Sequence, residues 1–315
     1  MDIRLIITGD GRTAELPCGS VTLRSKRLAA AGTMEVFTPD KSVPLRCGME
    51  ARLSVEGTDV FAGYLFTVGA ERGGRTLIAA DSMRYLLCKD TKAYVNLSAA
   101  EIVRDICGER GLTLGTAEDG GVKLEELTCD QQTLLDIIST AIDESEKMGG
   151  GRLTLFDDAG VLRLMREGNL RTGLTLTGEN CLSGYLATEE IGQDTYNRIQ
   201  LVRKNRRTGR REFFVKEDAG SIERWGVLQY SENVLQNTPD GEIEARLTSL
   251  LQQKNRAVNG LTLQGAGDIR CRAGFIVDVE IPEAGVGGEY RILTAEHRFR
   301  SGGYTMKLGC EAVEG

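Results

Sequence analysis

The sequence predicts a mixed α+β protein in which two antiparallel β-barrel domains flank a small α+β middle domain. One β pattern is written twice, about 225 residues apart. Period-two alternation of apolar and polar residues dominates both ends of the chain, and a helical period replaces it only in the middle.

The first copy of the repeat places Gly48 ahead of an alternating strand to Val55, then Val60–Glu71 ending in Ala70-Glu71, then the turn Gly73-Gly74 and Arg75–Ile78. The second places Gly274 ahead of Phe275–Ile281, then Gly287–Glu296 ending in Ala295-Glu296, then Gly302-Gly303 and Tyr304–Leu308. Gly63 and Gly288 fall 15 and 14 residues after the first glycine of their copies, so they are expected to match as strand starts. A β unit repeated near each end suits a two-barrel scaffold better than a single-site enzyme.

The first barrel is assigned to residues 1–90. Ala51, Leu53 and Val55 face one way and Arg52, Ser54 and Glu56 the other, and the turns are Gly57-Thr58-Asp59 and Gly73-Gly74. Residues 81–87 read as a turn or two of helix closing this domain. The middle domain covers residues 91–182. It opens on a capping box, Ser98-Ala99-Ala100-Glu101, with Ile102, Val103 and Ile106 on one helical face. A second helix carries Leu134, Ile137, Ile138, Ala141 and Ile142. After Gly149-Gly150-Gly151 comes a hairpin, 152–156 and 161–165, turning at Asp157-Asp158-Ala159-Gly160. The second barrel is assigned to 183–315. Its hairpin joins 198–202 to 212–215, and an inserted helix over about 240–258 starts at Thr238-Pro239-Asp240 with the stripe Ile243, Leu247, Leu250, Leu251 and Val258 packed against the barrel.

Composition narrows the function classes. At 315 residues the chain holds two or three domains, and its net charge of −7 is the wrong sign for sequence-independent nucleic-acid binding, which must displace counterions from phosphates. The eight cysteines are scattered without a C-x-x-C pair, and a single histidine, His297, is available to complete a zinc set. No metal or cofactor is therefore expected. No run of about 20 apolar residues suggests membrane insertion, and the N-terminus has too short an apolar run for a signal peptide. The chain is expected to fold in a reducing cytoplasm with free cysteines.

No catalytic residue is assigned. A Cys-His peptidase needs a base beside its nucleophile, but Cys107 and Cys129 lie near helices whereas His297 lies in a late strand, on one face with Leu293, Ala295 and Phe299. It reads as a packed or interface histidine. Glu125-Glu126 and Glu189-Glu190 are the carboxylate pairs available to a glycosidase, yet one Trp and 5% aromatic residues provide little for a sugar-stacking cleft. Gly149-Gly150-Gly151 lacks the Gly-Lys-Ser/Thr of a phosphate loop and reads as a connector. The one basic concentration is Arg203, Lys204, Arg206, Arg207, Arg210 and Arg211, either a solvated hairpin tip or a contact for an acidic partner subunit.

Several segments, in order along almost the whole chain, resemble the baseplate hub proteins of contractile phages and of the phage-like particles and contractile bacteriocins of Gram-positive bacteria. They are 60–63 (VFAG), 81–86 (DSMRYL), 133–138 (TLLDII), 194–199 (DTYNRI), 218–222 (DAGSI), 290–292 (YRI), 297–299 (HRF) and 304–306 (YTM). The resemblance implies a non-enzymatic structural hub with two tail-tube-like β domains per subunit. Three subunits would give a pseudo-sixfold ring that adapts the sixfold tail tube to the threefold central spike. The implied partners are a homotrimer, the tail tube protein, the central spike protein and other baseplate subunits, assembled in the bacterial cytoplasm and carried in the tail baseplate. The rival readings are a tail-associated peptidoglycan hydrolase and a carbohydrate-binding β module.

Overall fold

The computed structural model describes residues 1–28, 30–192, 194–205 and 209–313. The chain begins with β1 (Ile3–Gly9), β2 (Arg12–Leu16), β3 (Ser20–Lys26), β4 (Thr33–Thr38), β5 (Glu50–Val55), β6 (Thr58–Glu71) and β7 (Gly74–Ala80). Alternation drives this segment as expected. Leu5 and Ile7, Val21 and Leu23, Met34 and Val36, Leu53, Leu65 and Leu77 all turn into one core, where each removes roughly 1.5–3 kcal/mol of apolar exposure.

A 3₁₀ turn over Ser82–Leu87, capped by the Asp81 side chain, leads into β8 (Lys89–Ser98). Next come α1 (Ala99–Arg110), β9 (Leu114–Ala117), β10 (Lys123–Thr133), α2 (Leu134–Lys147), β11 (Leu153–Asp158) and β12 (Val161–Arg166). The capping box of α1 is complete, with Ser98 Oγ accepting from Glu101 N and Glu101 Oε2 accepting from Ser98 N. Ile102, Val103 and Ile106 meet Leu134, Ile137, Ile138, Ala141 and Ile142 of α2 in a core completed by Leu155, Leu162 and Leu164. The long pair β8–β10 has no counterpart in the sequence reading, because the polar run Glu125, Glu126, Asp130 and Gln131 hides its alternation.

The remaining strands are β13 (Arg171–Thr177), β14 (Leu182–Glu190), β15 (Arg198–Lys204), β16 (Arg211–Glu217) and, after α3 (Ala219–Trp225), β17 (Gln229–Val234). Then follow α4 (Asp240–Lys254), β18 (Val258–Ala266), β19 (Ile276–Ile281), β20 (Val286–Arg300) and β21 (Gly303–Ala312). The structure divides into two compact units, residues 1–186 with 261–315 and residues 187–260. In the second unit β16, β15 and β17 form a sheet on which α4 lays Ile243 and Leu247 against Ile199 and Leu201. Pro239 is the residue before the helix rather than its first, and Val258, expected in the helical stripe, lies in β18.

The α+β class, mostly strand with few helices, matches the expectation. Closed barrels do not: among the described residues no strand pair closes either half on itself, and both halves run into one 13-stranded sheet. The physical reason is that β20 is long enough to serve two neighbours on one side, β19 along its first half and β3 along Thr294–Arg300.

The repeat is nevertheless present as topology. The strand order β1, β5, β6, β7, β4, β3 of the first half recurs as β13, β19, β20, β21, β18, β14. Each long central strand is held at one matching point. Gly48 N donates to Leu65 O and Leu65 N to Met49 O, both at 2.8 Å; Gly274 N donates to Ile292 O at 2.7 Å and Ile292 N to Phe275 O at 2.9 Å. A bulge follows each, between Leu65 and Thr67 and between Ile292 and Thr294. Gly48 and Gly274 share positive φ angles of 88° and 91°, which only glycine adopts freely. The expected match of Gly63 with Gly288 fails. Gly63 sits two residues before Leu65, the place held by Tyr290, and is glycine because a Cβ there would lie 2.1 Å from the Ala80 carbonyl oxygen. Ala70-Glu71 and Ala295-Glu296 also fail to match, since Glu71 abuts its hairpin opposite Gly74 whereas Arg300 does so opposite Gly303.

Candidate assembly surfaces

Two open backbone edges stand out in the first unit. Tyr64 pairs with Glu50 of β5 on one side and Ala80 of β7 on the other, so β5 and β7 flank β6. Past Leu65, β5 has ended. Thr67–Glu71 remains bonded to β7 alone, and among the described residues no strand takes its other side. The matching stretch of β20, from Thr294 onward, is covered by β3, and Leu293 O at its bulge accepts Arg27 N at 2.8 Å. The second open edge is β14, the terminal strand of the large sheet. It presents Tyr185 and Leu186, the latter 59% exposed, while Tyr64 and Phe66 stand out on β6. Unpaired N–H and C=O rows of this kind are templates for another strand.

The basic residues singled out in the sequence are divided by the fold. Arg203 is engaged: its guanidinium bonds Glu212 at 2.8 Å, Asp240 at 2.7 Å and the Thr238 carbonyl at 2.7 Å, and it lies over the Phe214 ring. It ties β15 to the start of α4 and to β16. Lys204 and Arg211 face each other across the β15–β16 pair, and the Arg210 carbonyl accepts from Asn205 N at 2.8 Å. Arg206 and Arg207 lie outside the described residues.

The histidine and four of the eight cysteines, Cys107, Cys129, Cys271 and Cys310, are buried. His297 is buried, with Nε2 2.9 Å from the Cys271 carbonyl and Nδ1 2.8 Å from the Tyr304 hydroxyl. A carbonyl can only accept, so Nε2 carries the proton and Nδ1 accepts from the phenol. That is the neutral ring, and burial holds its pKa below the ordinary histidine value. Burial pushes the thiol of Cys107 up to about 11 and those of Cys271 and Cys310 up to about 12, the opposite of what a nucleophile requires. Among the described residues no group of three His, Cys, Asp or Glu side chains is placed to hold a metal ion, and no helix is long and apolar enough to cross a membrane.

A buried ionic junction within the same unit has no counterpart in the sequence reading. Glu167 accepts from Arg27 (Nε 2.8 Å, Nη2 2.5 Å), from Arg291 (Nε 2.8 Å, Nη2 2.7 Å) and from Thr154 Oγ1 at 3.1 Å. It links the end of β3, the middle segment and β20. Nearby, Asp81, Asp157, Arg272 and His297 line a cavity of about 350 Å³. The Asp81 carboxyl accepts from Gly32 N and Met83 N and is pushed up to about 8, first by burial and then by the Asp157 charge. Glu167 through Arg27 and Arg291, and Asp81 through Gly32, thus join segments that lie far apart in the chain.

Comparison with known proteins agrees with this picture of a strand-rich scaffold. The chain is 25% identical to the phage-like element PBSX protein XkdQ of Bacillus subtilis over 321 residues, covering 97% of this chain and 96% of that protein. Its fold is similar to the 43 kDa tail protein of prophage MuSo2 from Shewanella oneidensis, with a TM-score of 0.70, 12% identity and 98% of each chain covered. It is also similar to the E. coli c3393 protein, described as a component of the type VI secretion system with structural similarity to T4 tail proteins gp27 and gp5. Here the TM-score is 0.60 and identity 13%, covering 98% of this chain and 77% of that one. The YQBQ-like family matches residues 21–311, and the chain belongs to that family.

Proposed function

We propose that this chain is a structural subunit of a phage-like contractile tail, namely the baseplate hub that adapts a sixfold tail tube to a threefold central spike. The carrying observation is the repeated strand order. A subunit with two like β units, taken three times, presents six similar surfaces upward and three whole subunits downward. The XkdQ likeness supports a part in a phage-like particle, and the MuSo2 and c3393 likenesses support a fold of the phage-tail kind. The functional segments are residues 1–90, 91–182 and 183–315, with the partners being two further copies of the chain, the tail tube protein and the central spike protein. The particle assembles in the bacterial cytoplasm. The basic hairpin, including Lys204, Arg206, Arg207, Arg210 and Arg211, contacts an acidic neighbour rather than DNA.

Light scattering on the purified protein, alone and mixed with a candidate spike protein, tests this reading. A trimer mass that rises by one spike assembly supports it, and a monomer at every concentration overturns it. Reversing Arg207 and Arg210 to Glu is expected to leave the fold intact and to weaken particle assembly in a salt-dependent way. An unchanged assembly at every ionic strength removes the docking role.

A further inference from the structure

We propose that β14 of one subunit adds as a strand to the open Thr67–Glu71 edge of β6 in a second copy, so that backbone pairing closes the ring. The proposal rests on the ring reading above and names the contact that makes it. The template is inside the chain. β3 is the last strand of the first repeat and pairs antiparallel with β20 of the second along Thr294–Arg300. β14 holds the place of β3 in the second repeat, and Thr67–Glu71 holds the place of the covered stretch of β20 in the first. One junction of a repeating pair is made within the chain. The other has both halves present and unpaired among the described residues, at opposite ends of the pattern.

The register follows from printed pairs of the first junction. Leu65 faces Ala79 and Ile292 faces Cys310, while Met34 faces Ala79 and Leu261 faces Cys310, so Met34 and Leu261 are equivalent. Leu23 faces Met34. Across β14 and β18, Ala266 N donates to Cys181 O and Ser183 Oγ to Gln264 O, an antiparallel run that carries Leu186 to the level of Leu261. Leu186 therefore stands where Leu23 stands. Leu23 faces His297, three residues past the bulge partner Thr294, and Ala70 is three residues past Thr67. Leu186 of one copy is thus set opposite Ala70 of the next, and Tyr185 opposite Glu71.

Burial points the same way. Leu23 is 8% exposed under its partner strand while Leu186 is 59% exposed without one. Ala295, His297 and Phe299 are buried in the covered strand, whereas Thr67, Ala70 and Glu71 are open. A soluble chain ordinarily protects such an edge with a charge, a proline or a bulge; here the bulge lies before the unpaired run, and Thr67-Val68-Gly69-Ala70 carries no charge and no proline ahead of Glu71 at the hairpin. Strand addition of this kind draws its affinity from main-chain hydrogen bonds and its specificity from alternate side chains. Because the donor strand and the acceptor edge are different surfaces, the contact is head to tail and three copies can close.

The test is a double variant, Ala70→Cys with Leu186→Cys, in a chain whose exposed cysteines are removed by Cys47→Ser and Cys88→Ser. Directly opposed residues on paired strands have Cβ atoms about 4.5–5.5 Å apart, within reach of a short bismaleimide. Linked dimers and trimers on denaturing electrophoresis are expected, with neither single-cysteine variant forming trimers. If light scattering shows a trimer that the reagent does not link, the strand assignment is overturned while the ring stands. If the protein is monomeric at high concentration, the ring reading and the contact fall together. Hydrogen exchange on the unmodified protein provides an independent arm should the variant misfold. Amides in Thr67–Glu71 are expected to exchange at least roughly tenfold more slowly in the assembled form than in dilute monomer; equal rates overturn the proposal.

Discussion

Replacing Glu167 by Ala tests whether the buried junction holds the first unit together. Glu167 is 3% exposed and Arg291 5%, so the carboxylate and at least one of its guanidinium partners have exchanged water for each other. The carboxylate accepts four charged N–H bonds, two from Arg27 and two from Arg291, plus one from Thr154. Among the described residues, removing it leaves Arg291 with Glu311, which it bonds through Nη1 at 2.6 Å, and takes away the carboxylate that Arg27 bonds. Breaking one side of a buried pair costs about 3–5 kcal/mol because the remaining charge is uncompensated. Against a total stability of about 5–15 kcal/mol, that is a large share. Urea unfolding followed by circular dichroism should show a lower midpoint at unchanged slope, the signature of lost stability rather than altered compactness. A loss below about 1 kcal/mol would refute the reasoning, since the guanidinium groups would then be solvated without Glu167. The triple replacement Arg27→Met, Glu167→Leu, Arg291→Met sharpens the test. With all three charges gone, stability should return to the starting value or exceed it by about 1–4 kcal/mol, and a triple variant as weak as the single one would show that packing, not charge, was lost.

Two further perturbations follow from local geometry. Asp81 has its carboxyl pushed up to about 8 in the folded chain, against about 3.9 when unfolded. Between those values the folded state holds the extra proton, so stability falls as pH rises through the window; below about 4 both states are protonated and the effect is absent. Over pH 5 to 8 the Asp81 contribution is about 4 kcal/mol, and Asp81→Asn should flatten that part of a stability-versus-pH curve measured by denaturant midpoint. A variant with the full wild-type slope would show that another group sets it. Glycine replacements should split by environment. Gly63→Ala drives a Cβ into the Ala80 carbonyl at 2.1 Å and should cost about 2–3 kcal/mol, whereas Gly108→Ala, inside α1 with open space around it, should stabilise by about 0.5–1 kcal/mol. Thermal unfolding of the two variants in parallel checks the sign of each.

The parts of this fold that were legible are those whose signal is local. The α1 capping box needs only Ser98 and Glu101, the α2 stripe only five apolar residues at helical spacing, and the hairpin of β11 and β12 only alternation on either side of Asp157-Asp158-Ala159-Gly160. The repeat was legible for a similar reason at Gly48 and Gly274, whose positive φ demands glycine in both copies. It misled at Gly63 and Gly288, where two glycines exist for unrelated causes: one avoids a clash with a neighbouring carbonyl, and the other takes a φ of 109° in open space. Letter identity cannot separate those causes. Nor could it show that β20 extends past β19 to receive β3, because a long strand and two short ones share the same alternation.

The basic cluster shows where residue type and residue role part. Six cations in nine positions look like one surface, yet Arg203 is spent on Glu212 and Asp240 within its own unit, so its charge is neutralised before any neighbour arrives. Residues that make ion pairs with partners dozens of positions away, such as Asp240, carry no mark of it in sequence. The same holds for the open edge of β6. Its backbone groups are available because β5 begins only at Glu50, opposite Tyr64, and so does not reach along Thr67–Glu71. A strand length, not a side chain, decides that surface. In the strand addition proposed above, the main-chain hydrogen-bond row of Thr67–Glu71 would supply affinity whatever its side chains, while alternate side-chain fit would set the register.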